Sequence, residues 1–378
     1  MRIVCTASPA LAHLFSIVPT AWAMRAAGHE VLVLTYGEAV PAAASAGLPV
    51  VDVAPETDIH AILRKYRAGQ VLTAPVSLLP STHDGARLFG RASDAAANGT
   101  MRVAASWRPD LVVHTLMEGA GPLVAAKLGV PAVAHGFGFI GPGWDRAVSA
   151  EMEETYARHR VAAYVAPVAT LDVAPPSMVE RDSGLFMRYV PYNGSGISPD
   201  WFLKRPGRPK VAVTLGTLLP RLGGVSLLRP IVEVASKVDA DFLLLLGGAD
   251  PASLGKLPPN VTVHGWISLA SLIPSCSAII HHGGSGTTLT PLAAGVPHLV
   301  LPQGADQLIN AEAVVKRGTG LSSEPSNVDA ELVQRLLVDD SIRRAAAEVR
   351  AEIASMPAPA RVVDTLLAGL RCKPALQR

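Results

Sequence analysis

Cysteine is scarce in this sequence: only Cys5, Cys276 and Cys372 occur among 378 residues. Three scattered thiols supply neither a disulfide framework nor a zinc site. No CxxC or HExxH pairing is present to hold a catalytic metal. Charge of one sign is also lacking. Lys and Arg total 33 against 31 Asp and Glu, a formal net charge of +2, so no basic excess drives nucleic-acid binding. Aromatics make up only 5% of the chain, too few for base-stacking platforms. No window reaches the roughly 18 apolar residues that a membrane-spanning helix requires. The N-terminus superficially looks like a secretory leader, with Ala-Trp-Ala at 21–23. Pro9 and His13 interrupt its apolar run, and Arg2 alone precedes it, so the expectation is a soluble, cytoplasmic protein.

What is present is a core-rich composition, 49% hydrophobic and 17% charged, which excludes a disordered chain. The length suits two domains. Gly (33) and Pro (31) are spread as loop punctuation. Residues 2–7, 30–35 and 50–53 read as strands, with a helix between the first two built on Leu14, Ile17, Val18, Ala21 and Met24 and ended at Gly28. Strand, helix and strand recur at 111–114, 118–128 and 132–135. A Gly/Pro/Ser-rich stretch at 190–209 then breaks the pattern. A second alternating half has strands at 211–215, 242–246, 261–264 and 278–281, and terminal helices at 328–350 and 360–371. Alternation of this kind predicts an α/β architecture: two Rossmann-like β/α/β domains. Their bounds are 1–196 and 210–359 around a linker at 197–209, with a last helix, 360–378, crossing back onto the first domain.

The strongest chemical signal is HHGGSGTTLTPLAAGV at 281–296. A strand runs into His282-Gly283-Gly284-Ser285-Gly286-Thr287, and a helix follows. Such glycines let a ligand approach the backbone closely, and the helix aims its positive end at the same point, a recipe for binding phosphate or diphosphate. Ser285, Thr287 and Thr288 add hydroxyls, and His282 adds a donor, or a charge if protonated. The bland alternative is an ordinary strand-to-helix turn. Pro291 implies that this helix starts late or bends. After a further strand come Asp306 and Gln307, suited to sugar hydroxyls, although Asp306 could simply cap a helix. In the first half, His13 ends the loop Ser8-Pro9-Ala10-Leu11-Ala12-His13. It is placed to act as a general base or else to serve structure. Thr115, just past its strand, and Glu118 stand where an orienting group for that base belongs, but neither is an obvious one. Trp266 offers a flat face to a nucleobase or belongs to the core.

Together these motifs resemble the GT-B glycosyltransferases of the nucleotide-sugar-dependent, inverting superfamily. The series is the His13 loop, Pro191-Tyr192-Asn193-Gly194, Gly265-Trp266, HHGGSGTT, AAGVP at 293–297 and Asp306-Gln307. The resemblance spans essentially the whole chain. It is narrower to actinobacterial natural-product enzymes that use TDP-deoxysugars, and nearest to those of enediyne pathways such as the calicheamicin glycosyltransferases.

The resemblance implies two domains facing across a cleft, a TDP-deoxysugar donor and a hydrophobic small-molecule acceptor. It implies no metal, no other cofactor and no nucleic-acid or membrane partner, and leaves a homodimer open. His13 would deprotonate the acceptor. Thr217, His282, Gly283, Gly284, Ser285, Gly286 and Thr287 would hold the diphosphate. Trp266 and Ile267 would border the thymine, and Asp306 and Gln307 would face the sugar. The sequence departs from the family at Thr115, where members commonly carry Asp or Glu to orient the base. Glu118 or another group would then substitute, or the acceptor would arrive already acidic. The departure keeps two alternatives open: a non-catalytic nucleotide-sugar-binding partner of another transferase, and a sugar-nucleotide epimerase.

Overall fold

A computed structural model describes residues 1–59, 61–62, 82–181, 184–200, 207–217, 224–304 and 306–372. Much of the expected irregular stretch at 54–100, part of the expected linker (201–206) and the last six residues lie outside the described residues.

The first half runs β1 (Arg2–Thr6), α1 (Leu11–Ala26), β2 (Glu30–Thr35), α2 (Ala39–Ser45), β3 (Val50–Asp52), α3 (Thr82–Trp107), β4 (Leu111–Thr115), α4 (Ala120–Leu128), β5 (Ala132–His135), α5 (Trp144–Ala150), α6 (Glu153–Arg158), β6 (Ala169–Asp172) and β7 (Leu185–Phe186). The second half continues with β8 (Lys210–Thr214), α7 (Arg229–Ala235), β9 (Asp241–Leu245), β10 (Val261–His264), α8 (Leu269–Leu272), β11 (Ala278–His281), α9 (Ser285–Ala294), β12 (His298–Val300), α10 (Gln307–Arg317), β13 (Gly320–Ser322), α11 (Ala330–Val338), α12 (Asp340–Ser355) and α13 (Pro359–Cys372).

The strands form two sheets, ordered β3-β2-β1-β4-β5-β6-β7 and β10-β9-β8-β11-β12-β13. The pairs flanking β1 and β8, like their neighbours, are parallel. Parallel strands need crossover helices, and these cover both sheet faces, so the strands read as apolar runs and not as alternations. β4 shows this, with every residue from Leu111 to Thr115 buried. Helices α4, α9 and α10 each end on a glycine in the left-handed conformation, Gly129, Gly295 and Gly318, where a side chain would be strained.

The two halves share apolar packing. Leu14, Ile17 and Val18 of α1 lie in one buried cluster with Leu289 and Leu292 of α9, Ile353 of α12, and Val362, Val363 and Leu366 of α13. The last helix therefore packs on the first domain's α1, and burial of these side chains fastens the halves together. The second sheet has its own core around Val213, Phe242, Leu244 and Ile280.

Three local expectations are corrected. Residues 328–350 are not one helix: Asp339 is extended, and its carboxylate accepts the Ser341 amide at 2.9 Å, ending α11 and capping α12. Helix α9 starts directly at Ser285 despite Pro291, because its first intrahelical bond, Thr288 N–H to Gly284 C=O at 2.9 Å, forms ahead of the proline and does not need the missing N–H. Thr115 is the last residue of β4, not the first beyond it.

Candidate active site

In each sheet the strand order reverses beside the first strand of that half: β1 lies between β2 and β4, and β8 between β9 and β11. Loops leaving the carboxyl ends of such neighbours diverge and leave a crevice. The loops after β4, β8 and β11 carry Glu118, Thr217 and the glycine stretch, whereas His13, expected at the end of the loop after β1, lies in the first turn of α1, which begins at Leu11. A cleft of about 880 Å³, part of it open to solvent, collects residues from both halves. Ala12, Phe15 and Phe137 come from the first. Thr217, Trp266, Ile267, His282, Gly284, Gly286 and Thr287 come from the second.

His282 is clamped by glycines. A Cβ on Gly216 would fall 2.4 Å from the ring's Cε1, and one on Gly284 would fall 2.6 Å from Nε2. Only bare backbone fits on either side. Burial lowers the His282 pKa to about 4, so the ring is neutral at neutral pH, and its Nδ1 has no hydrogen-bond partner. Beside it, the first turn of α9 exposes Gly286 and Thr287 to the cleft, and helix geometry leaves the first-turn N–H groups without intrahelical partners. Neutral donors and a helix dipole converge here on one point.

Gly283 differs from its neighbours. Its φ of +92° turns its amide inward, where it donates to His281 Nδ1 at 3.0 Å. The proton of His281 is therefore on Nε2, 3.2 Å from His298 Nδ1. Both rings are fully buried. The Gly283 amide thus anchors the loop from beneath and is not available to a ligand in the cleft. Ser285, Asp306 and Gln307 do not line that cleft either, and Ser285 packs against the first domain, where a Cβ on Gly138 would fall 2.2 Å from its Oγ. Ser285 Oγ donates to Asp306 Oδ2 at 2.7 Å, and Asn310 Nδ2 donates to the same carboxylate at 3.1 Å and to Gly283 C=O at 2.7 Å. Burial raises the Asp306 pKa, against the lowering by these bonds. Gln307 Oε1 accepts the Gln303 amide at 2.8 Å. These residues tie the loop after β12 to the glycine loop.

His13 sits across the cleft, near the start of α1. Its ring stacks on Phe137, a cleft-lining residue, at 4.3 Å, and on Phe89 at 5.1 Å. Burial lowers its pKa to about 4. Ser8 Oγ lies 2.7 Å from Nδ1. Among the described residues no hydrogen bond engages Nε2.

Among the described residues neither Thr115 nor Glu118 hydrogen-bonds His13. Thr115 Oγ1 is buried and has no hydrogen-bond partner. Glu118 accepts the Thr6 hydroxyl at 2.5 Å and the Ala120 and Gly121 amides at 2.6 and 2.9 Å. It therefore clasps the start of α4 to β1, and burial raises its pKa. The residue that holds His13 is Ser8, in the short loop that leads from β1 into α1. Its signal was present in that loop, but a hydroxyl is not the carboxylate sought. Phe89 and Phe137, remote in sequence, carried no signal. Trp266 is 42% exposed, and its ring covers Gly194 of the interdomain segment, whose added Cβ would lie 2.9 Å from Cζ2.

Residues 22–216 and 229–368 match the N-terminal and C-terminal domains described as erythromycin biosynthesis protein CIII-like. Elloramycin glycosyltransferase ElmGT of Streptomyces olivaceus is 42% identical over 97% of both chains. The crystal structure of glycosyltransferase SnogD from Streptomyces nogalater is 41% identical, with a TM-score of 0.85 over 97% of this chain and 99% of its own. SsfS6 of Streptomyces sp. SF2575, solved in complex with thymidine diphosphate, is 30% identical, with a TM-score of 0.82 over the same shares. With its two parallel-sheet domains facing one cleft, the chain is a GT-B glycosyltransferase and belongs to the erythromycin biosynthesis protein CIII-like family.

Proposed function

We propose that the chain moves a deoxysugar from a TDP-sugar to a hydrophobic polyketide-type acceptor, with inversion at the anomeric carbon. The observation that carries this reading is the neutral His282 ring, clamped between Gly216 and Gly284 at the open end of α9 and facing the first domain's aromatic wall. The N–H groups of Gly286 and Thr287, with His282 and Thr217, bind the diphosphate. Charge that grows on it as the sugar–phosphate bond breaks is held by dipoles already in place. Trp266 and Ile267 border the thymine. Asp306 and Gln307 act from behind the loop, setting its shape toward the sugar. No metal enters the proposal.

His13 is the base. Its Nδ1–H donates to Ser8 Oγ, which leaves the Nε2 lone pair for the acceptor hydroxyl. The acceptor oxygen attacks the anomeric carbon, its proton passes to Nε2, and the electron pair of the breaking bond leaves with TDP. A base with so low a pKa takes the proton late, when bond formation has made the hydroxyl acidic. The hydrophobic acceptor fits the Phe89–Phe137 wall around the ring. An enediyne acceptor is the narrower reading and rests on the sequence resemblance alone.

The test incubates wild type and His13→Ala with TDP-sugar and acceptor. Turnover should fall by roughly 10²–10⁴-fold with TDP affinity unchanged, and NMR of the product should show the anomeric configuration inverted. Unchanged turnover removes His13 as base; retained configuration removes the single-displacement mechanism.

A further inference from the structure

Histidine ends β11 and begins β12. The two strands pair in parallel with Ile279 opposite His298, so His298 lies diagonally beside His281 on the same face of the sheet. Both side chains are fully buried, and neither lines the cleft. They meet in a hydrogen bond, 3.2 Å from His281 Nε2 to His298 Nδ1. Its direction follows from the other side of the His281 ring. Nδ1 there accepts the Gly283 amide at 3.0 Å, so the proton sits on Nε2 and His298 Nδ1 is the acceptor. His298 then carries its own proton on Nε2, which is buried and has no partner among the described residues. Burial holds both rings below their ordinary pKa, His298 at about 3, so they act as neutral groups at neutral pH.

A buried N–H without a partner costs free energy that an apolar side chain at 298 would avoid. What the His298 ring supplies in return is the Nδ1 lone pair. With it, the Nε2–H form of His281 satisfies both of its ring nitrogens. Without it, either Nε2–H is orphaned, or the proton moves to Nδ1 and meets the Gly283 amide donor to donor. The bond to Gly283 closes a turn around one residue, His282, as an Asx side chain does when it accepts the amide two positions on. Asn310 Nδ2 holds the Gly283 carbonyl at 2.7 Å, so both polar groups of Gly283 are fixed. We propose that His298 and His281 are positioning residues for the diphosphate: His298 fixes the tautomer of His281, His281 fixes the Gly283 amide, and the turn so closed presents the His282 ring to the cleft. The link to the diphosphate rests on the reading of His282 given above; the tautomer does not.

The test measures TDP affinity by calorimetry on the whole folded chain, with nitrogen NMR of histidine-labelled protein as an independent readout. His298→Leu removes the acceptor and should lower TDP affinity roughly tenfold. His298→Asn returns an acceptor oxygen near the place of Nδ1 and should recover affinity to within about threefold of wild type. A residue that only filled the core would alter stability in these variants and TDP affinity in neither. In wild type, the resonances that vanish in His281→Asn should show Nε2 protonated and Nδ1 unprotonated. His298→Leu binding TDP within about twofold of wild type overturns the proposal, and so does a loss in His298→Asn as large as that in His298→Leu. An Nδ1–H tautomer at His281 overturns it whatever the TDP affinity. If His298→Leu does not fold, His281→Asn decides. Its side-chain oxygen can still accept the Gly283 amide, so TDP should bind within about threefold of wild type, and a loss of roughly tenfold or more overturns the proposal. If wild type binds no TDP while His281 shows the Nε2–H form, the reading of the cleft fails and the pinned turn stands.

Discussion

Replacing Gly284 by alanine tests the diphosphate cradle with little else disturbed. The backbone there, φ −59° and ψ 144°, is open to any L-residue, so the methyl group brings no backbone strain. It does bring a collision. The new Cβ falls 2.6 Å from His282 Nε2 and 3.0 Å from Cε1, where ordinary contact needs about 3.5 Å. The flexible partner is the imidazole, whose Nδ1 has no hydrogen bond to lose. It must leave its rotamer, at about 0.5–1.5 kcal/mol. Fold stability should therefore change little, while the His282 hydrogen bond to a charged oxygen, about 1.5–3 kcal/mol, is lost. TDP affinity measured by calorimetry should drop roughly 10- to 150-fold, with the thermal midpoint within a few degrees of wild type. Gly216→Ala is the companion variant. It meets the same ring at 2.4 Å from φ +72°, and should lose about 1–2 kcal/mol more of stability to backbone strain. A folded Gly284→Ala protein that binds TDP within about twofold of wild type would refute the placement of His282 on the diphosphate.

Acid should destabilise the protein well before carboxylates titrate. Burial lowers His13, His135 and His282 to about 4 and His298 to about 3. The unfolded chain binds protons that the native state refuses, so stability falls as pH drops below 6.5 and continues to fall to about 4, by up to about 1.4 kcal/mol per pH unit for each ring. Urea midpoints at a series of pH values check this; a flat profile between pH 7 and 5 contradicts it. Glu118→Ala should cost roughly 2–5 kcal/mol in urea unfolding, because the Thr6 hydroxyl and two amides lose their buried acceptor, while kcat of the folded fraction stays near wild type. A collapse of kcat in fully folded protein would mean that Glu118 does act on His13. Trp266→Ala should weaken TDP binding by about 1–3 kcal/mol and leave turnover at saturating donor nearly unchanged; unaltered TDP affinity places the thymine elsewhere.

The sequence was most legible where one physical requirement fixes residue type at short range. Buried parallel strands need apolar runs, so β2, β5, β10 and β11 were read at their observed ends. Close backbone approach needs glycine, so 283, 284 and 286 announced the loop after β11. Helix ends were harder. Asp339 looked like one more polar residue in a helical pattern until its carboxylate was seen capping α12.

Sequence alone determined the α/β class, the two halves and the glycine-rich loop after β11, because each rests on local pattern or on a chain of motifs in order. Tertiary structure decided the division of labour among those residues. Gly283 turns its amide inward to His281, Ser285 and Asp306 brace the loop, Glu118 fastens a helix, and Ser8 holds the His13 ring where it stacks on two phenylalanines. Residue type says what a side chain can donate or accept; only the folded arrangement fixes which of those bonds are already made, and so which groups remain free for a substrate.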